Sequence, residues 1–110
     1  TYGTYDATGW HHTSDIRLKE NIESLSDVLA RLTKLEGFKF NFINDPSKKE
    51  QIGLIAQDVE VLFPELVSTD EKGYKSICYD QVSVLLIEAL KEQQHQIDEL
   101  KAMVKVLMNR

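Results

Sequence analysis

The stretch DQVSVLLIEALKEQQHQIDELKAMVKVLMNR, Asp80 to Arg110, decides the architecture, because it contains no proline and no glycine. With Asp80 able to cap its start and nothing to break it, it predicts a single long helix. Along it Leu86, Leu90, Gln93, Ile97, Leu100, Val104 and Leu107 step by four and three alternately, the spacing of a heptad seam. At about 1.5 Å per residue the seam spans about 32 Å, long for a lone helix on a domain of this size. A coiled coil between copies of the chain is predicted; the alternative is one helix packed back along its own domain. Ile97 and Val104 at a with Leu100 and Leu107 at d favour two strands, whereas Leu90 at a and the flanking Met103 and Met108 widen the apolar arc. The heptads leave dimer and trimer open. Gln93 is a polar group in the seam and suits a device for register.

Upstream of this helix the pattern changes repeatedly. Val67 to Tyr79, with Asp70-Glu71-Lys72-Gly73 in the middle, predicts a β-hairpin that turns at Gly73. Ile52 to Ala56 is a short apolar run that leads into a helix carrying Val59, Leu62 and Phe63, and Pro64 ends it. Asn44 to Lys49 is a turn. Phe38, Phe40 and Phe42 alternate with Lys39 and Asn41, which predicts a strand with one buried face rather than a binding groove. Leu25, Val28, Leu29, Leu32 and Leu35 form an amphipathic helical stripe that Gly37 would stop. Thr1 to Thr13, rich in Thr, Tyr and Gly, suits extended or turn structure and reads as the end of another domain. The fold class is therefore α+β: a small mixed domain of short strands and helices with a long helix at its C-terminal side.

Composition narrows the functional classes. With 110 residues and 42% hydrophobic content the chain suits one small core. The net charge of -5 argues against a general nucleic-acid or anionic-membrane binder. No apolar run approaches the roughly 20 residues of a membrane span, and no signal peptide opens the sequence. Its start at TYGTYDATGW, without methionine, suggests a piece of something longer. The single cysteine, Cys78, cannot form an internal disulfide and is expected as a small buried hydrophobe. His11 and His12 have no Cys, Asp or Glu at zinc-like spacing, so neither a metal nor a cofactor is expected, and the pair more simply shapes the strand before Ser14. Lys48, Lys49 and Lys72 are isolated surface charges.

The chemistry lies in SDIRLKENI, Ser14 to Ile22, which puts a hydroxyl and an amine five positions apart. A neutral lysine amine within hydrogen-bond reach is one of the few groups that can take a serine's proton. The spacing is awkward, because at about 100° per residue a helix separates Ser14 from Lys19 and a strand sends odd offsets to opposite sides. A dyad needs a bend between them or a lysine from another chain. The plain alternative is a helix start with Ser14 as N-cap, Asp15 at the positive end of the dipole, and Arg17 and Lys19 in water.

SDIRLKENI, followed by GLIAQDVEVLFPELV and then GYKSICYDQVSVLLIEALKE, resembles the intramolecular chaperone, or peptidase S74, domain of phage tailspike, tail-fibre and neck-appendage proteins. The resemblance covers Thr13 to about Arg110 in three blocks in order. It implies a homotrimer that promotes folding of the fibrous, β-rich domain upstream in the same chain and then cuts itself off before the motif serine. Carried onto this sequence, it implies Ser14 as nucleophile, Lys19 as general base and Thr13-Ser14 as the bond cut, with the Leu86 to Leu107 seam between the three chains. Residues 1–13 would then end the upstream domain and residues 14–110 form the self-cleaving chaperone, globular over 14–80 and helical over 81–110. It also implies assembly in the host cytoplasm, with the parent protein in the virion tail and no nucleic-acid or membrane partner.

For Lys19 to act as a base its pKa must fall from about 10.4 by about three units, through burial or a neighbouring cation. Arg17 is a candidate for that cation or for holding the developing oxyanion. Asp15 would oppose the shift if it lay near Lys19, so it is expected to orient backbone or to pair with Arg17. The rival hypothesis is a non-catalytic trimeric coiled-coil adaptor or cap that stays attached and needs nothing from Ser14.

Overall fold

The computed structural model describes residues 3–110; Thr1 and Tyr2, the first residues of the expected upstream tail, lie outside the described residues. The fold is α+β, with three separate two-stranded antiparallel ladders, two short helices and one long helix.

The N-terminal hairpin pairs β1 (Gly3–Asp6) with β2 (Gly9–His12). Its loop closes because the Asp6 carboxylate accepts the Thr8 backbone N–H at 2.8 Å and the Thr8 hydroxyl at 2.7 Å, while Gly9 takes φ +119°. After a run whose one regular element is a 3-10 turn at Ile16–Leu18 comes α1 (Val28–Leu32). This helix is shorter than its apolar stripe predicts. Asp27 sits in the left-handed region at φ 53°, so the helix cannot extend back to Leu25, which is left exposed outside it. Gly37 does not stop it either, since the chain has already left the helix at Thr33.

The strand β3 (Phe38–Phe40) pairs with β4 (Gln51–Gly53) and stops short of Phe42. The predicted buried face is absent: Phe40 and Phe42 are 37% and 60% exposed. Among the described residues Ile77 and Tyr79 cover that side only in part, and the Phe40 and Phe42 rings meet each other edge-on at 5.2 Å. Together with Leu54, Ile77 and Tyr79 the three phenylalanines line an open groove of about 540 Å³. Gly53 lets this arrangement close, because a Cβ there would lie 2.8 Å from the Tyr79 hydroxyl, which accepts the Leu54 backbone N–H.

The core follows the predicted pattern more closely. The helix α2 (Ala56–Leu62) ends at Phe63, and Pro64 opens a 3-10 turn through Leu66. The hairpin of β5 (Val67–Thr69) and β6 (Lys75–Ile77) turns at Gly73, φ +88°, with Asp70 accepting the backbone N–H groups of Lys72 and Tyr74. The final helix α3 runs from Tyr79 to Met108. It starts one residue before Asp80, which lies in its first turn rather than at the cap; Cys78 occupies the cap and is exposed, not buried.

Val28, Val59, Phe63, Leu66, Leu85 and Ala89 form the buried core, so α1, α2 and the first turns of α3 converge on one point. Arg31 braces it, with its guanidinium 4.5 Å from the Phe63 ring centroid and donating to the Leu62 carbonyl at 3.2 Å. Glu92 of α3 accepts the Leu29 backbone N–H at 2.5 Å and so supplies the cap that Asp27 does not. Beyond Glu92 every residue of α3 is exposed, and the helix does not fold back along its own domain.

The radius of gyration is 19.2 Å, against about 13 Å for a compact domain of this length. Six buried residues are a small core, and Phe63 is its largest fully buried side chain. Phe63→Ala should therefore lower unfolding stability by about 3–5 kcal/mol in urea titrations followed by circular dichroism.

Candidate active site

Between the first hairpin and α1 the chain makes a single 3-10 turn, Ile16–Leu18. Asp15, not Ser14, is its N-cap, and its carboxylate accepts the Arg17 backbone N–H at 2.9 Å. The backbone bonds Leu18 N–H to Asp15 O at 3.0 Å and Lys19 N–H to Ile16 O at 3.1 Å close the turn, and Lys19 leaves it in extended geometry. This turn is the bend that the odd spacing requires. It reverses the chain so that Lys19 Nζ lies 2.7 Å from Ser14 Oγ, within one chain.

The supporting residues pair with each other. Arg17 Nη2 is 2.8 Å and its Nε 3.3 Å from Asp15 Oδ2, with the Nε also 3.1 Å from Oδ1. The Arg17 guanidinium, and after it the Arg17 backbone N–H, holds the Asp15 carboxyl below the usual carboxylate value, and Asp15 in turn raises Arg17. Asp15 thus both orients backbone and takes up the Arg17 charge.

Ser14, Lys19 and their neighbours are all exposed, and so are Ile16, Leu18 and Ile22 at 72%, 74% and 66%. The chain alone brings hydroxyl and amine together but does not shield them from water. Among the described residues little covers the flanking apolar side chains.

The predicted seam residues Leu86, Leu90, Gln93, Ile97, Leu100, Val104 and Leu107 all lie on the surface of α3. Leu85 and Ala89 face the core, while Leu86 and Leu90, one position on and so about 100° around the helix, point away from it. The seam is the face of α3 that the domain leaves uncovered. Of the two histidines, His11 lies 2.7 Å from the Thr8 hydroxyl and 3.1 Å from Asp6, and His12 lies 2.7 Å from Asp80. Among the described residues no cluster of three or more His, Cys, Asp or Glu gathers that could hold a metal ion, and no helix is long and apolar enough to cross a membrane. The contacts His12–Asp80 and Glu92–Leu29 were not anticipated, since nothing local in the sequence links residues so far apart.

With this geometry in place, the comparisons define the class. The chain belongs to the peptidase S74 family, chaperone of endosialidase, whose sequence profile matches residues 14–68, half of the chain. It is similar to long tail fiber protein Gp37 of Enterobacteria phage Ox2, 34% identical over 113 residues, covering 90% of this chain and 45% of that protein. It is also similar to long tail fiber protein Gp37 of Enterobacteria phage K3, 29% identical over 109 residues, covering 93% of this chain and 9% of that protein. The chain thus spans less than half the length of either relative.

Because Asp15 is depressed, the cap it provides is complete above the ordinary carboxylate value and is lost only as pH falls through the lower folded value. An NMR titration of the Asp15 carboxyl carbon should give a midpoint below 3.8, moving toward 3.8 in Arg17→Ala. A wild-type midpoint at or above that figure would remove the Arg17 pairing from the site.

Proposed function

We propose that this chain is the chaperone domain of a phage tail fibre, that it trimerises through α3, and that it releases itself by cutting the Thr13-Ser14 bond. The observation that carries the proposal is the 2.7 Å approach of Lys19 Nζ to Ser14 Oγ, at the residue where the family match begins. Residues 1–13 then end the upstream fibre domain and 14–110 are the released chaperone. The parent protein belongs in the virion tail, and the cut occurs during assembly in the host cytoplasm.

The chemistry follows from the position of the nucleophile beside its own bond. Lys19, neutral, accepts the Ser14 hydroxyl proton as Oγ attacks the Thr13 carbonyl carbon, closing a five-membered ring. The C–N bond then breaks, Lys19 returns the proton to the departing Ser14 nitrogen, and Thr13 is left as an ester on Ser14 Oγ. Water hydrolyses the ester, giving a Thr13 carboxylate and restoring the serine.

Lys19 must be neutral to begin, and burial disfavours the charged form of an amine. The lone chain leaves Lys19 exposed, so further protein has to cover it. Packing of three chains, with the upstream stem over Ile16, Leu18 and Ile22, supplies that cover and makes cutting conditional on assembly. Support for three helices rather than two comes from the breadth of the free apolar arc, since Met103, Val106 and Met108 are exposed beside the seam at 59%, 65% and 79%. Holding three fibre ends together raises their effective concentration for slow β pairing, and removing the domain afterwards leaves the fibre kinetically trapped.

In the full-length protein a denaturing gel should show two fragments divided before Ser14, and one band for Ser14→Ala and for Lys19→Met. Hydroxylamine should trap the upstream fragment as a hydroxamate, because the ester on Ser14 Oγ is open to nucleophiles. A single uncut band from the wild-type protein would favour the attached adaptor, and normal cutting by Ser14→Ala would remove Ser14 from the mechanism.

A further inference from the structure

The hairpin β1–β2 carries the residues that lead into Thr13-Ser14, and among the described residues one side-chain hydrogen bond ties it to the body of the protein. That bond joins His12 Nε2 to Asp80 Oδ2 at 2.7 Å, across 68 positions of sequence. Each partner is held from behind. Trp10 Nε1 donates to His12 Nδ1 at 3.4 Å, with the two rings edge-on at 5.6 Å. Since the indole N–H occupies Nδ1, Nε2 carries the proton that the Asp80 carboxylate accepts. Trp10 itself lies on Gly3, where a Cβ would come within 2.4 Å of the indole ring. On the other side Asp80 is fixed in the first turn of α3, and the Ser83 hydroxyl donates to its backbone carbonyl at 2.8 Å.

We propose that His12–Asp80 is a latch that docks the segment before the scissile bond onto α3, making both residues positioning residues for the cut. The inference rests on the cleavage proposed above and adds to it a route by which α3 reaches the site. Lys19 is set by the local turn on one side of the bond, whereas the peptide on the other side is set by the helix that carries the seam. Helix placement and bond placement are thereby linked through one contact. The side chains are 52% and 68% exposed, and a hydrogen bond of this kind contributes about 1 kcal/mol net, which corresponds to about a fivefold change in docked population.

The test measures the rate of self-cutting in the full-length protein for His12→Ala, Asp80→Ala, the double variant and Asp80→Asn, with Ser14→Ala as the uncut control. The latch predicts that each alanine variant slows cutting by about two- to fivefold. It further predicts that the double variant is no slower than either single one, and that Asp80→Asn, which still presents an oxygen to Nε2, keeps most of the rate. Either single variant cutting at the wild-type rate, or two factors that multiply, overturns it. Should Asp80→Ala fail to assemble by sedimentation, His12→Gln decides instead: its amide N–H replaces Nε2, so recovery relative to His12→Ala supports the latch and equal loss refutes it. Cutting that persists in Ser14→Ala would overturn the Ser-Lys reading, while the comparison at His12 and Asp80 would still decide the latch from the same bands.

Discussion

The structure depends on a single conflict within α3: one helix has two apolar faces and the chain can cover only one of them. Val82, Leu85 and Ala89 pack toward Val28, Val59 and Phe63, and Leu86 and Leu90 are turned away. Past Glu92 every residue of the helix is exposed. The accessible surface of 9656 Å² compares with about 6,200 Å² expected of a compact monomer of this mass. Part of that excess is apolar, since Leu86, Leu90, Ile97, Leu100, Val104 and Leu107 are all exposed along α3; on the proposed reading it is the surface that other copies of the chain cover.

The Ser14-Lys19 contact stands in an instructive relation to that helix. It is made by local means, a 3-10 turn capped by Asp15 and braced by Arg17, so its geometry needs no partner chain. Its environment is another matter. Both groups are exposed to water. A site whose distances are set locally and whose dryness must come from outside is suited to waiting. On the proposed reading, assembly contributes desolvation rather than residues, which differs from the alternative in which the lysine arrives from a second chain.

How much of this could be read from sequence depends on the range of the interaction. The long helix, the Gly73 hairpin and the Pro64 stop are written in local signals, and the structure has each in its expected place. The helix over the Leu25 to Leu35 stripe came out as five residues because a single left-handed residue, Asp27, overrode the periodicity. The Phe38 to Phe42 alternation predicts a buried face, but burial needs a full second layer, and among the described residues Leu54, Ile77 and Tyr79 cover that side only in part. Cys78 is exposed for a similar reason, since an apolar neighbourhood in sequence is not a packed one in space. At the site, Ser14, Lys19, the Asp15–Arg17 pairing and the need for a bend are legible in the sequence, but not the form of the bend, a 3-10 turn at Ile16–Leu18. The long-range contacts, Glu92 to Leu29 and His12 to Asp80, leave no local trace at all.

The central claim is that covering the free face of α3 is what makes the Ser14-Lys19 pair competent. The most direct measurement is self-cutting of a full-length variant carrying Ile97→Asp and Val104→Asp, which puts charges into the seam far from the dyad. The account predicts that this variant sediments as a monomer and stays uncut, although Ser14, Lys19, Asp15 and Arg17 are all intact. Monomers that cut before Ser14 at the wild-type rate would contradict it.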